Sequence, residues 1–359
     1  MVAALAGCAV SEAPRVPDSP ILTAAEGRAL VARKLPANLA DRPGWAADIY
    51  AAMAAMQIAP SAQNICAVVA VTGQESGFRV DPPVPNLSRI AWKEIERHRD
   101  NAGIPKLVLL GALALPSSDG RSYSERIDGV TTEMQLSLIY DDFIGRVPLA
   151  KKFLEDRNPV RTAGPMQVSV AFAKAHMDAR PYPYPVSGSV RDEVFTRRGG
   201  MYFGIAHLLD YPASYDSPLY RFADFNAGHY ASRNAAFQKA VAGISGIDLD
   251  LDGDLVRYDK GQPAKEPGST ELATRALARR LDMSESRIRS DLEQGKLAEF
   301  ERSRLYARVF ALADEAAGQR VPRAVVPRIA LHSPKITRPL TTEWFARRVS
   351  DRYRACLAR

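Results

Sequence analysis

The chain has 359 residues, 46% of them hydrophobic and 25% charged, with a formal net charge of +7. That balance excludes a disordered or fibrous polymer and leaves room for two domains, or for one domain with elaborations. The longest apolar run, Leu107–Pro116, falls well short of the ~20 residues of a spanning helix, and the basic excess suits an acidic polymer or a membrane surface as readily as nucleic acid.

Leu5-Ala6-Gly7-Cys8 resembles a bacterial lipobox, in which Cys8 is lipidated and becomes the mature N-terminus. Ala9 after it resembles sorting to the outer membrane, facing the periplasm. Met1–Gly7 is shorter than a signal peptide and lacks its basic start, so we expect a start further upstream or a trimmed chain. Residues 9–22 carry Pro14, Pro17 and Pro20 and read as a tether. Thr23 and Glu26 form a capping box for a helix to about Lys34. Asp41 caps the next helix, with Pro43 in its first turn and Trp45, Ile49, Met53 and Met56 as its apolar stripe. After Pro60, Ser61 caps a third helix. Ile65, Val68, Val69 and Thr72 follow at i, i+3, i+4 and i+7, a spacing that faces a core. Glu75 falls on the same stripe. Desolvation there disfavours the carboxylate and raises its pKa, and a glutamate protonated near neutrality can act as a general acid. A solvated helix-end glutamate, or one paired with Arg79, is the plainer reading.

Residues 79–155 begin with Pro82, Pro83 and Pro85, which break any helix. The pattern then predicts a helix from Ser88 to Asn101, an apolar segment from Leu107 to Leu115 and one long helix from Glu125 to Phe143. Asp141 and Asp142 could supply a second catalytic carboxylate, although adjacent aspartates near a helix end are more often solvated. Tyr182 and Tyr184 lie between prolines in a loop that could wall a sugar groove, and Arg198–Leu209 is helical in pattern. Asp248, Asp250 and Asp252, followed by Gly253 and Asp259, match much of an EF-hand loop and would give Ca2+ an oxygen cage. An acidic turn is the alternative. Helices over Ser269–Leu281 and Met283–Gln294 suggest a helix-turn-helix with Arg287 and Arg289, but Glu285, Asp291 and Glu293 on the second helix would repel phosphates. No nucleic-acid partner is expected. An amphipathic helix around Trp344, Phe345, Val349 and Tyr353 closes the chain. Cys66 and Cys356 either pair, in an oxidising compartment, or remain as two buried thiols.

Three stretches, Gln74-Glu75-Ser76-Gly77-Phe78, Gly164-Pro165-Met166-Gln167 and Asp224-Phe225-Asn226-Ala227-Gly228, resemble in order the Glu-Ser, Gly-Leu-Met-Gln and Ala-Tyr-Asn-Ala-Gly motifs of lytic transglycosylases and goose-type lysozymes. Pro165 and Asp224-Phe225 depart from that pattern. The resemblance covers roughly residues 46–242 and implies an all-α, lysozyme-like domain over 46–245, with 79–155 as an insertion. The lipobox (1–8) and a tether with an N-terminal helix (9–45) precede it, and an acidic loop with a helical region (246–359) follows. It also implies cleavage of the β-1,4 bond between N-acetylmuramic acid and N-acetylglucosamine in peptidoglycan. Glu75 would protonate the leaving oxygen, then act as base toward the C6 hydroxyl of the same sugar. The 1,6-anhydro product forms without water or a required cofactor, because the nucleophile is already on the substrate. Ser76, Met166, Gln167, Phe225 and Asn226 would contact substrate, with the Asn226 amide buried to hold its loop. Phe225 lacks the family's tyrosine hydroxyl, which Tyr230 or Tyr202 could replace. Two alternatives stand beside this reading: a lysozyme-type muramidase, and a wall-binding lipoprotein without activity. The implied partners are peptidoglycan and, through lipid on Cys8, a membrane.

Overall fold

The computed structural model describes residues 22–147, 158–186, 188–259, 261–331 and 339–359. Among the described residues the fold is mainly helical, with three two-stranded antiparallel hairpins. Cys8 lies outside the described residues.

Local signals set the first helices. α1 (Ala24–Lys34) starts at the Thr23/Glu26 capping box. α2 (Arg42–Ala55) starts at Asp41, whose carboxylate accepts the Gly44 N–H, and buries Trp45, Ile49 and Met53. α3 (Ala62–Glu75) starts at Ser61, whose hydroxyl accepts the Asn64 N–H at 3.1 Å. Its stripe of Ile65, Val68, Val69 and Thr72 is buried.

α4 (Leu87–Ala102), α5 (Lys106–Leu113), α6 (Tyr123–Asp128) and α7 (Glu133–Arg146) follow. The single helix expected over 125–143 is two. α6 stops at Gly129, and Thr132 with Gln135 forms a new capping box that starts α7. Glycine and the β-branched run Val130-Thr131-Thr132 are poor helix interior, and a threonine free to cap resolves the conflict in favour of a break. These helices enclose a satellite core of Leu87, Ala91, Leu113, Tyr123, Ile127, Val130 and Ile139.

β1 (Thr162–Ala163) pairs with β2 (Val168–Ser169) around the turn 164–167. α8 (Val170–Ala179), α9 (Val190–Phe195), α10 (Arg197–Leu209), α11 (Pro218–Ala227) and α12 (Ala231–Ser245) complete the central part. Beyond them lie β3 (Tyr258–Asp259), β4 (Gln262–Pro263), α13 (Ser269–Ala276), α14 (Ala278–Leu281), α15 (Glu285–Leu292), two short 3-10 turns and α16 (Arg304–Ala317). β5 (Ala330–Leu331), β6 (Leu340–Thr341) and α17 (Thr342–Leu357) end the chain.

The main core joins α1, α2, α3, α10 and α11 to the far C-terminus. Phe345, Ala346, Val349, Tyr353 and Cys356 of α17 are buried in it. A disulfide ties Cys356 to Cys66 of α3, with Cα atoms 5.5 Å apart. A separate core forms where Phe237 and Val241 of α12 meet Leu255, Leu277, Ile288, Leu292, Phe300 and Phe310. Residues 246–359, read from sequence as one extension, therefore divide between two cores, with α17 returning to the first. The suggested helix-turn-helix lies in the other. Its arginines are engaged internally: Arg289 pairs with buried Glu271 at 2.6 Å, and Arg287 with buried Asp291 at 2.9 Å. A buried carboxylate needs such partners, which commits Arg289 to the fold, while the Arg287 side chain stays largely exposed.

Candidate functional site

α3 carries Glu75 as its last residue, half-buried, one turn beyond buried Thr72. The helix ends there because Gly77 (φ +61°) and Phe78 (φ +64°) turn the chain through the left-handed region. Ser76 completes that stop. Its hydroxyl donates to the Thr72 carbonyl at 3.3 Å and accepts the Arg79 N–H at 3.2 Å. Phe78 packs edge-on against Trp45, 5.4 Å between ring centres.

The turn 164–167 is shaped by contact with α9 and α10. A Cβ on Gly164 (φ +73°) would lie 2.3 Å from the Val194 carbonyl oxygen and 3.1 Å from Gly200 Cα. Met166 is fully buried against Gly204, where a Cβ would come within 2.5 Å of its side chain. Gln167 (φ +50°) turns its amide inward: Nε2 donates to the Gly164 carbonyl at 3.1 Å, and Oε1 accepts from the Thr162 hydroxyl at 3.4 Å.

In the third motif, Asp224 is fully buried and accepts four hydrogen bonds. Donors are the Tyr215 hydroxyl (2.6 Å), the Tyr211 hydroxyl (3.2 Å) and the backbone N–H groups of Tyr230 (3.0 Å) and Ser232 (2.7 Å). α12 has no side-chain cap on its own first residue. Asp224 supplies it from the preceding helix, where its charge meets the positive end of the helix dipole. Burial still holds its pKa above the ordinary carboxylate value. Phe225 packs into the main core, and its carbonyl accepts from His207. Asn226, expected to bury its amide, is exposed, and its Oδ1 accepts from the Thr342 hydroxyl at the start of α17, at 3.4 Å.

Three segments thus converge on α10. Thr72, one turn before Glu75, places its hydroxyl 3.9 Å from Met201 Sδ. Gly204 receives Met166. His207 Nε2 lies 3.1 Å from the Phe225 carbonyl. A cavity of about 200 Å³ opens elsewhere, at the other end of α3, lined by Asn64, Tyr215, Arg221, Phe222 and Tyr353.

Composition gave no sign of the aromatic cluster around α10. His207 stacks on His229 with ring centres 4.6 Å apart, and His229 stacks on Tyr211 at 4.1 Å. Phe172 closes on His207 at 4.7 Å. Carbonyl groups only accept, so both rings donate from Nε2: His207 to Phe225, and His229 to the His207 carbonyl at 2.7 Å. His207 Nδ1 is buried with no hydrogen-bond partner among the described residues. Burial, reinforced by the neighbouring His229, pushes the His207 pKa down to about 4, so the ring is neutral at physiological pH.

Other residues singled out from sequence are held in structural bonds. Asp142 pairs with Arg126 at 2.7 Å and Arg146 at 2.9 Å, and Asp141 accepts from Asn158 at 3.2 Å. Tyr182 and Tyr184 do not wall an open groove. Tyr182 donates to Glu193 at 2.6 Å and stacks on Phe203, and Tyr184 packs against Tyr182. In the acidic stretch, Asp252 accepts from Gln238 at 2.6 Å, Asp254 lies 3.6 Å from Lys296, and Asp259 sits in the β3–β4 hairpin. Among the described residues, no three His, Cys, Asp or Glu side chains come together to hold a metal ion.

The chain belongs to the family described as "Protein of unknown function (DUF1615)", whose model matches residues 38–359. Among its relatives, the Escherichia coli (strain K12) protein named "Uncharacterized protein YaiW" is 52% identical over 356 residues, covering 99% of this chain and 96% of the relative. No solved structure matches the chain. These findings correct the resemblance to the lytic transglycosylase and goose-type lysozyme superfamily. The family that spans the chain is a different one, and nothing found places it in that superfamily. The physical reason lies in the motif residues themselves. Gly164 and Met166 are required by packing on α9 and α10, and Asp224 by the capping of α12, so packing and capping account for these three motif residues and they carry no evidence of that superfamily.

Proposed function

We propose that the protein acts on peptidoglycan in the cell envelope, anchored by lipid on Cys8. In this reading Glu75 is the general acid and base that cleaves the β-1,4 bond between N-acetylmuramic acid and N-acetylglucosamine. One observation carries the proposal: the helix ending in Glu75, the turn of Gln167 and the segment of Phe225 and Asn226 all pack around α10. A half-buried glutamate one turn beyond Thr72, which is buried against Met201 of α10, is in keeping with a positioned proton donor. The substrate's own C6 hydroxyl then closes the ring as Glu75 takes its proton, giving a 1,6-anhydro product with one carboxylate. The Cys66–Cys356 disulfide suits the oxidising periplasm that this reading requires.

A second reading, a wall-binding protein without turnover, draws support from Phe225 and Asn226. One ring is turned into the core, and the other side chain is bonded to Thr342. The test incubates the chain from Ala9 onward with purified sacculi and identifies released muropeptides by mass spectrometry. Anhydro-muropeptides from the wild type, and none from Glu75→Gln with sacculus binding retained, is the expected result. Reducing-end products would mean hydrolysis. Binding without release in both proteins would leave the second reading.

A further inference from the structure

The cavity at the start of α3 holds polar groups that the fold does not use up. Tyr353 of α17 lines it and is only 8% exposed, yet its hydroxyl has no hydrogen-bond partner among the described residues. A buried hydroxyl is costly to leave unpaired, and an occupant of the cavity can supply the partner. Arg221 of α11 lines it too. Nη1 donates to the Leu208 carbonyl at 3.4 Å, and Nη1 and Nη2 share the Tyr211 carbonyl at 3.3 and 3.2 Å. Those bonds take three of the five N–H donors of a guanidinium. Nε–H and the outer Nη2–H have no acceptor among the described residues, and they form the edge that grips a carboxylate through two parallel hydrogen bonds. The field has the same sign. α3 and α11 both begin at the cavity, and neither has an acidic residue in its first turn, so the positive ends of two helix dipoles meet there. Asp216 is the one acid in the lining. It is exposed and makes no hydrogen bond or ion pair among the described residues. Leu209, Phe222 and the ring of Tyr353 supply the apolar wall.

We propose that this cavity binds a free α-amino acid with an apolar side chain. The carboxylate takes the open edge of Arg221 and the Tyr353 hydroxyl, the ammonium faces Asp216, and the side chain lies against Leu209 and Phe222. The lining selects this class. A purely apolar ligand would leave the Arg221 edge and the Tyr353 hydroxyl unpaired. A phosphate or a dicarboxylate would meet Asp216 as a like charge. A neutral sugar has no charge for either Arg221 or Asp216. The volume of about 200 Å³ lies below the ~300 Å³ at which pockets for drug-sized ligands begin, which suits one amino acid and not an oligomer. An occupant held by Arg221 and Tyr353 would also tie α17 to α11, one turn before Cys356 ties it to α3. The inference does not rest on the role given to Glu75, which lies at the far end of α3, roughly 18 Å from Gln63 along the helix.

The experiment titrates the full chain with L-leucine and with D-leucine by isothermal calorimetry. Saturable binding of at least one enantiomer is expected. Leucinamide, which lacks the carboxylate, should bind about tenfold more weakly or not at all. N-acetyl-leucine, which keeps the carboxylate but has lost the ammonium, should be weakened as well. Tyr353→Phe removes the hydroxyl and keeps the ring on Phe222, so it should lower leucine affinity about tenfold with an unchanged circular dichroism spectrum. Arg221→Lys keeps the charge, loses the two-donor edge and should weaken binding by at least as much. If that variant disturbs the fold, Tyr353→Phe still decides. No binding of either enantiomer at about 10 mM overturns the proposal. So does equal affinity for leucinamide, or undiminished affinity in Tyr353→Phe. Equal affinity for N-acetyl-leucine overturns the assignment to a free amino acid, since that probe carries its carboxylate as the end of a peptide does.

Discussion

Removing the Cys66–Cys356 bridge should loosen the main core by an amount set by the loop it closes. The two cysteines are 290 positions apart. In the chain-entropy description, a loop of that length restrains the unfolded chain by about 5–6 kcal/mol, against the 2–4 kcal/mol typical of native bridges. The gain grows slowly with length, so the value is insensitive to where the loop boundaries are drawn. Both cysteines are fully buried, and reductant should reach them only when α17 lifts from α3 and α11. The perturbation is Cys66→Ala/Cys356→Ala, compared with oxidised wild type by thermal melting and by limited proteolysis. A loss of about 4 kcal/mol corresponds to a fall of roughly 5 °C in a chain of this size. Cleavage after Arg347, Arg348 or Arg352, all on α17, should accelerate first. An unchanged melting temperature with α17 still protected would refute the reasoning, because α17 would then hold its place by packing alone.

Two further predictions concern buried polar groups. The folded-state pKa of His207 is depressed to about 4. Its contribution to stability is full above the unfolded value near pH 6.5 and is lost as pH falls through about 4. At 1.36 kcal/mol per unit, that amounts to about 3 kcal/mol, and urea unfolding at pH 7 and pH 4 should show the loss in wild type and a smaller one in His207→Phe. Asp224→Ala removes the acceptor for two tyrosine hydroxyls and two N–H groups at the start of α12. It should cost about 3 kcal/mol, read as a lower urea midpoint at unchanged slope.

The helices that could be read from the chain are those whose signals lie within one turn. The Thr23/Glu26 box, the Asp41 and Ser61 caps and the stripe from Ile65 to Thr72 need only neighbours three or four residues away. The break between α6 and α7 had such a signal in Thr132 and Gln135, but the apolar periodicity running across it masked the cap. Within the candidate site, the position of Glu75 on its stripe was legible for the same local reason. What Gly164, Met166, Gln167 and Asp224 do was not, because each is decided by a partner on another element: Val194, Gly204 and the first turn of α12. A tetrapeptide looks the same whether its glycine admits a sugar or a neighbouring helix. Periodicity placed α17 on a buried face but could not say which core would receive it, and the disulfide to α3 spans nearly the whole chain. The neutral histidine pair and the cavity that Tyr353 lines are likewise properties of packing. An apolar run specifies that a side chain prefers to leave water, and only the packed structure decides whether another part of the same chain is there to cover it.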